Sequence, residues 1–203
     1  MQKPVYTIGY AAFPDIRDMM RLLHELGVDV VVDVRSIPFS KTYTDYNQQI
    51  LKDACLDNRI HYRHYKNEFG ARQTDRAYTT DGQVDFERFA QSPQFLDGKQ
   101  KMLNSISAGY TPCLLCAEKD PIVCHRAILI GRNLHEAGAE VKHIMAEGEI
   151  QTQKDIEKRL LDMFFPHRDQ IPMWDEPMSE EDFRREAYKI QNYKVGYRVE
   201  VFS

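Results

Sequence analysis

The stretch LLCAEKDPIVCHR at 114–126 places two thiols, a carboxylate, an imidazole and a guanidinium between Cys116 and Arg126. Each type has its own chemistry. A thiolate is a nucleophile and a metal ligand, a carboxylate moves protons, and a guanidinium clamps phosphate or carboxylate. Glu118 stands just past an apolar run, and Asp33 and Arg35 repeat that arrangement in VDVRS at 32–36. If the two runs are neighbouring strands, each aims a carboxylate at one crevice. Paired carboxylates suit acid–base work, glycosidic-bond chemistry or a divalent cation. Asp33, Glu118 and Cys124 are therefore the candidate catalytic residues, with an Asp33–Arg35 ion pair as the alternative for Asp33.

Asp120-Pro121 is an N-cap and first-turn proline, so the spacing predicts a helix from there through Ala137, with Cys124, His125 and Arg126 in its first two turns. Unpaired N–H groups and the dipole at such a helix start favour an anion and lower a thiol pKa. Cys124 is thus a nucleophile or metal ligand, and Arg126 an anion clamp. Cys116, Glu118, Cys124 and His125 are the candidate ligands of a divalent metal. Against a metal stands the spacing, because adjacent Cys and His on a helix point about 100° apart. Cys113 faces away from Cys116 across a strand, so this CxxC makes a poor redox pair. Gly9 ends the first strand, where it lets backbone approach a ligand or simply turns. Cations interleave with aromatics at Arg59, Tyr62, Arg63, Tyr65, Lys66, Arg72 and Arg76, a pattern that suits single-stranded nucleic acid or an ordinary solvated surface.

The elements that must position these residues alternate. Strands are expected at 3–9, 28–34, 59–65, 112–116 and 139–145. Helices are expected at 16–26, 47–56, 84–90, 93–107, 121–137 and 151–165, with a polar loop over 66–83. The β-branched VDVVVDV reads as a strand buried on both faces. This order gives a three-layer α/β fold with a mainly parallel sheet of about five strands, helices on both faces and right-handed crossovers. Ligands then bind at the carboxyl ends of the strands. One domain is expected over 1–165, and 166–203 is read as a C-terminal tail packed on it or on a partner.

A net charge of −4 over 203 residues provides no global field for a polyanion, so any nucleic-acid contact needs a local patch. The start MQKPVYTIGY holds no apolar stretch of signal length, and no membrane span is expected. A cytoplasmic protein with reduced thiols follows. No Gly-rich dinucleotide loop or Walker motif is present.

TIGY at 7–10, VDVRSIPFSK at 32–41 and LLCAEKDPIVCHR at 114–126 together resemble the DUF488 family, a domain of unknown function, over about residues 5–150. The resemblance implies a small α/β domain in which Gly9, Asp33, Arg35, Pro38, Cys116, Glu118, Cys124, His125 and Arg126 share one site. The family pattern has His-Ser after the first TIG where this chain has Tyr10-Ala11, and Gly-Gly before the arginine where it has Gly70-Ala71-Arg72. It names no activity. The leading expectation is an enzyme acting on a nucleotide or nucleic-acid-derived substrate. Gly9, Arg35, Pro38, Arg72, Cys116, His125 and Arg126 would bind the phosphate-bearing molecule. A thiol enzyme is the alternative, since DVR at a strand end is similar to rhodanese-like folds, although no Cys-x5-Arg loop exists. A metal-binding module and a non-catalytic nucleic-acid binder complete the field. Oligomeric state does not follow from the sequence.

Overall fold

The computed structural model describes residues 3–168 and 178–199. Its strands are β1 (Val5–Gly9), β2 (Val30–Asp33), β3 (His61–His64), β4 (Thr79–Thr80), β5 (Gln83–Val84), β6 (Pro112–Cys116), β7 (Val141–Ile144) and β8 (Ile150–Thr152). Its helices are α1 (Ile16–Glu25), α2 (Gln48–Asp57), α3 (Lys66–Phe69), α4 (Phe86–Ala90), α5 (Pro93–Ser107), α6 (Arg132–Glu136), α7 (Gln153–Phe164) and α8 (Glu180–Val195).

Six strands form one mixed sheet in the order β3-β2-β6-β1-β7-β8, all parallel except β8. Side-chain alternation divides the core in two. Val32, Val34, Leu114 and Cys116 share one cluster with the phenylalanines of α4 and α5, with α7 and with Tyr188 of α8. Ile8, Val31, Cys113 and Leu115 face Met19, Met20 and Leu23 of α1 and Leu51 and Cys55 of α2. This is an α/β fold with helices on both faces. Cys113 and Cys116 do lie on opposite sides.

The path of the chain creates the crevice. α1 carries the chain from β1 over β6 to β2 on one face, while the segment after β6 crosses β1 to β7 on the other. Helices thus leave adjacent strands towards opposite faces at the Gly9–Cys116 pair, the place where open α/β sheets bind ligands.

The sheet of about five strands has a sixth, because Ile150–Thr152 pairs antiparallel with β7 before Thr152 caps α7 with a capping box. Two expectations need correction. Residues 66–83 are not one loop: they hold α3 and a hairpin of β4 and β5, and Val84 lies in that hairpin, so α4 starts at Phe86 behind the Asp85 cap. The single helix expected over 121–137 is broken: Pro121–Val123 is a 3₁₀ turn, Arg126–Gly131 a π-helix, and only Arg132–Glu136 is α.

Of the tail, α8 packs on α7, with Phe183 5.0 Å from the Phe165 ring. Arg184, Arg185 and Lys189 pair with acidic neighbours on α8, as the alternation of charges there implies. Residues 169–177, with Trp174, and 200–203 lie outside the described residues. No described helix is long and apolar enough to cross a membrane.

Candidate functional site

At the end of β6 the chain places Cys116 inward and then turns Glu118 back over it. Glu118 is an exposed residue, yet its Oε2 lies 3.1 Å from Cys116 Sγ and 3.0 Å from Cys124 Sγ. Both thiols are buried, at 3% and 1% exposure. His125 Nδ1 is 3.8 Å from each sulfur. The other ring nitrogen, Nε2, is 3.1 Å from the Val34 carbonyl. A carbonyl only accepts, so Nε2 carries a hydrogen and Nδ1 is the ring nitrogen left facing the sulfurs.

This convergence depends on the helix break. Cys124 is extended (φ −130°, ψ 138°) and its carbonyl accepts from Ala127 and Ile128, so it caps the following helix from outside. The expected divergence of Cys124 and His125 therefore does not arise, because only His125 has helical angles. The spacing argument against a shared centre fails for that reason.

The electrostatics of the cluster are coupled. Burial pushes the Cys124 thiol up, but the hydrogen bond from Cys116 and the nearby Arg126 and His125 outweigh burial and hold it well below the ordinary thiol value. Cys116 is raised by its hydrogen bond to Cys124 and then by burial, so it remains a thiol. Burial, followed by Cys124, raises Glu118 above the usual carboxylate range. Burial lowers His125, yet Cys124 reverses the sign and leaves it raised.

The predicted anion binders are used internally. Arg126 is wholly buried and donates from Nη1 to the Glu118 carbonyl (2.6 Å) and from Nη2 to that of Lys119 (3.3 Å). It is a clamp on the site loop, not an open phosphate hook. Gly9 lies beneath that loop: a Cβ there would fall 1.8 Å from the Glu118 oxygen. Its approach is to backbone of the same chain. Arg35 forms a bidentate pair with Asp33 (2.8 and 2.6 Å), and Tyr62 Oη donates to the same carboxylate at 2.8 Å. Asp33 alternates with Val32 and so lies on the α1–α2 side, whereas Cys116 faces the other. The two strand-end carboxylates are therefore not a pair. Arg35 packs 5.2 Å from the Tyr10 ring, and its Nη1 has no partner among the described residues.

Pro38 is half-buried and its carbonyl accepts from Gln48 N. Arg72 is exposed, with its amide donating to Ser36 Oγ (2.9 Å) and its guanidinium 5.4 Å from the Tyr197 ring. The basic aromatic patch is divided by β3. Arg59, Arg63 and Lys66 are exposed, while Tyr62 and Tyr65 turn inward to Asp33 and Phe69.

Sequence reasoning missed the groups that hold the cluster in place. The Val34 carbonyl orients His125, and the carbonyls of 118 and 119 anchor Arg126. Backbone acceptors leave no mark in a string of side chains. It also missed a buried chain behind the site, in which Thr7 Oγ1 meets His143 Nδ1 (2.8 Å), His143 Nε2 meets Gln153 Oε1 (2.9 Å), and Gln153 Nε2 meets Tyr188 Oη (2.8 Å).

Comparison with known families matches residues 15–132, more than half of the chain, to the family described as domain of unknown function DUF488. No curated protein and no solved structure matches the chain.

Proposed function

The chain belongs to the DUF488 family, and from that premise we propose an enzyme that acts on a nucleotide or nucleic-acid-derived substrate, with Glu118 as its acid–base group. One observation carries the reading: a carboxylate at the surface is turned onto two buried thiols and an imidazole, in the crevice where adjacent strands send their helices apart. Burial raises its pKa, the direction that suits a group that must both take and give a proton.

The rim supports the substrate class. The loop after β2 leaves from Val34, the residue bonded to His125, and it exposes Ile37 at 55% and Phe39 at 59%. A base stacks on such an apolar surface. Lys41 on that loop and Arg72, docked on Ser36, provide exposed positive charge for a phosphate. We place the activity in the cytoplasm, where the thiols remain reduced.

A covalent thiol mechanism has the lowered Cys124 pKa in its favour and its burial under Glu118 against it. The acid–base reading accounts for the exposed group and is preferred.

The test is a mass-spectrometric screen of nucleosides, nucleotides and short single-stranded DNA and RNA for turnover, repeated with Glu118→Gln. The isosteric amide is expected to lower kcat about 10²–10⁴-fold. Failure of the wild type to convert any of these, or an unchanged rate in the variant, overturns the proposal.

A further inference from the structure

We infer that Cys116 Sγ, Cys124 Sγ and His125 Nδ1 form a zinc site, with Glu118 beside its open fourth position. The inference deepens the function proposed above by naming the cofactor of the same crevice, and as a cofactor it rests on that reading.

The argument is geometric. The three buried ligand atoms lie within 4.8 Å of one another, and Glu118 Oε2 is 3.0–3.1 Å from both sulfurs. Around a tetrahedral zinc with Zn–S near 2.3 Å and Zn–N near 2.0–2.1 Å, donor atoms stand about 3.5–3.8 Å apart. The observed sulfur–nitrogen separation of 3.8 Å fits.

The donor set points to a cation for a second reason. Two sulfurs and the ring Nδ1 converge, and the nearby Arg126 guanidinium is turned away onto the carbonyls of Glu118 and Lys119. His125 is held as a metal-ligating histidine is, its far nitrogen donating to the Val34 carbonyl. Two thiolates and an imidazole select a borderline-soft ion such as zinc over magnesium or calcium. Three buried protein ligands with one exchangeable position are the pattern of a catalytic site, not a closed structural one. Glu118, whose Oε2 lies against both sulfurs, stands beside that open position as the base for a water or substrate bound there.

The full chain, purified without chelator, is expected to carry near-stoichiometric zinc by plasma mass spectrometry. After the metal is stripped, titration with cobalt(II) should give a thiolate-to-cobalt charge-transfer band and the intense visible bands of tetrahedral cobalt, and zinc should bleach both. Cys116→Ser is expected to lose the stoichiometric metal and most of the charge-transfer band. Should that variant fail to fold, alkylation of the wild type decides: zinc must slow the labelling of Cys116 and Cys124. Absent metal, absent cobalt bands and labelling indifferent to zinc, in a chain whose circular dichroism is that of a folded protein, overturn the site. Metal bound with turnover unaffected by Glu118→Gln sinks only the proposed activity. Turnover lost in Glu118→Gln without metal sinks only the zinc.

Discussion

Gly9 is the residue on which the site loop rests. Its missing side chain lets the Glu118 carbonyl descend onto β1, where Arg126 meets that oxygen at 2.6 Å, and an added Cβ would lie 1.8 Å from it. Backbone cannot yield as a flexible side chain does, so Gly9→Ala forces the loop outward and strips Arg126 of its acceptor. The expected loss is about 3 kcal/mol, at the upper end for overpacking, read as a lower urea midpoint with unchanged slope. A midpoint equal to wild type would mean that the loop does not press on Gly9. The chemical residues themselves were legible in the sequence, since Cys116, Glu118, Cys124 and His125 announce themselves by type and spacing. The supporting roles were not. Arg126 and Arg35 read as anion binders because a guanidinium looks the same in sequence whether it faces a ligand, a carbonyl or an aspartate.

At the scale of elements, the irregular passage from Asp120 to Glu136 is what the site requires. A continuous helix would splay Cys124 from His125, and the extended residue at 124 brings them together. The π-helix that follows is tied down from behind, since Gln153 Nε2 donates to the Ala127 carbonyl and meets the Tyr188 hydroxyl at 2.8 Å. That hydroxyl also donates to Glu157 at 3.2 Å, joining α8 to α7. Tyr188→Phe removes both contacts inside the core and is expected to cost about 1–2 kcal/mol; a thermal melt unchanged from wild type would show that the link is idle. The main elements were readable because β-branched runs and 3.6-residue periodicity are strong over five or more residues. The hairpin of β4 and β5 was also marked: Asp81 and Gly82 both take positive φ, 52° and 74°, the demand of a tight hairpin turn that Asp-Gly meets. Its two-residue strands were too short for periodicity to reveal. β8 failed for the same reason, its three residues merging with the cap of α7.

At the scale of the whole molecule, His143 should add to the loss of stability in acid. His143 is fully buried between Thr7 and Gln153, and burial lowers its pKa from 6.5 to about 4. The unfolded chain therefore binds a proton that the folded chain refuses between those two values. Stability is complete above about pH 6.5, falls as pH drops towards 4, and loses about 3 kcal/mol across that window. Urea midpoints at pH 7 and 4.5 check this: His143→Gln, which cannot take the proton, should show the smaller difference, and an equal difference in both proteins removes His143 from the account. The order of strands has another consequence, for biosynthesis. β1 is made ahead of the other described strands and must wait for its partners, since its neighbours are β6, over 100 residues later, and β7 beyond that. Until Pro112–Cys116 emerges, the nascent chain exposes VYTIG with both edges unpaired, the condition that chaperones recognise. The crevice under Glu118 cannot exist until β6 and residues 118–126 have been made, so the site is built only after β6 and the segment behind it have emerged.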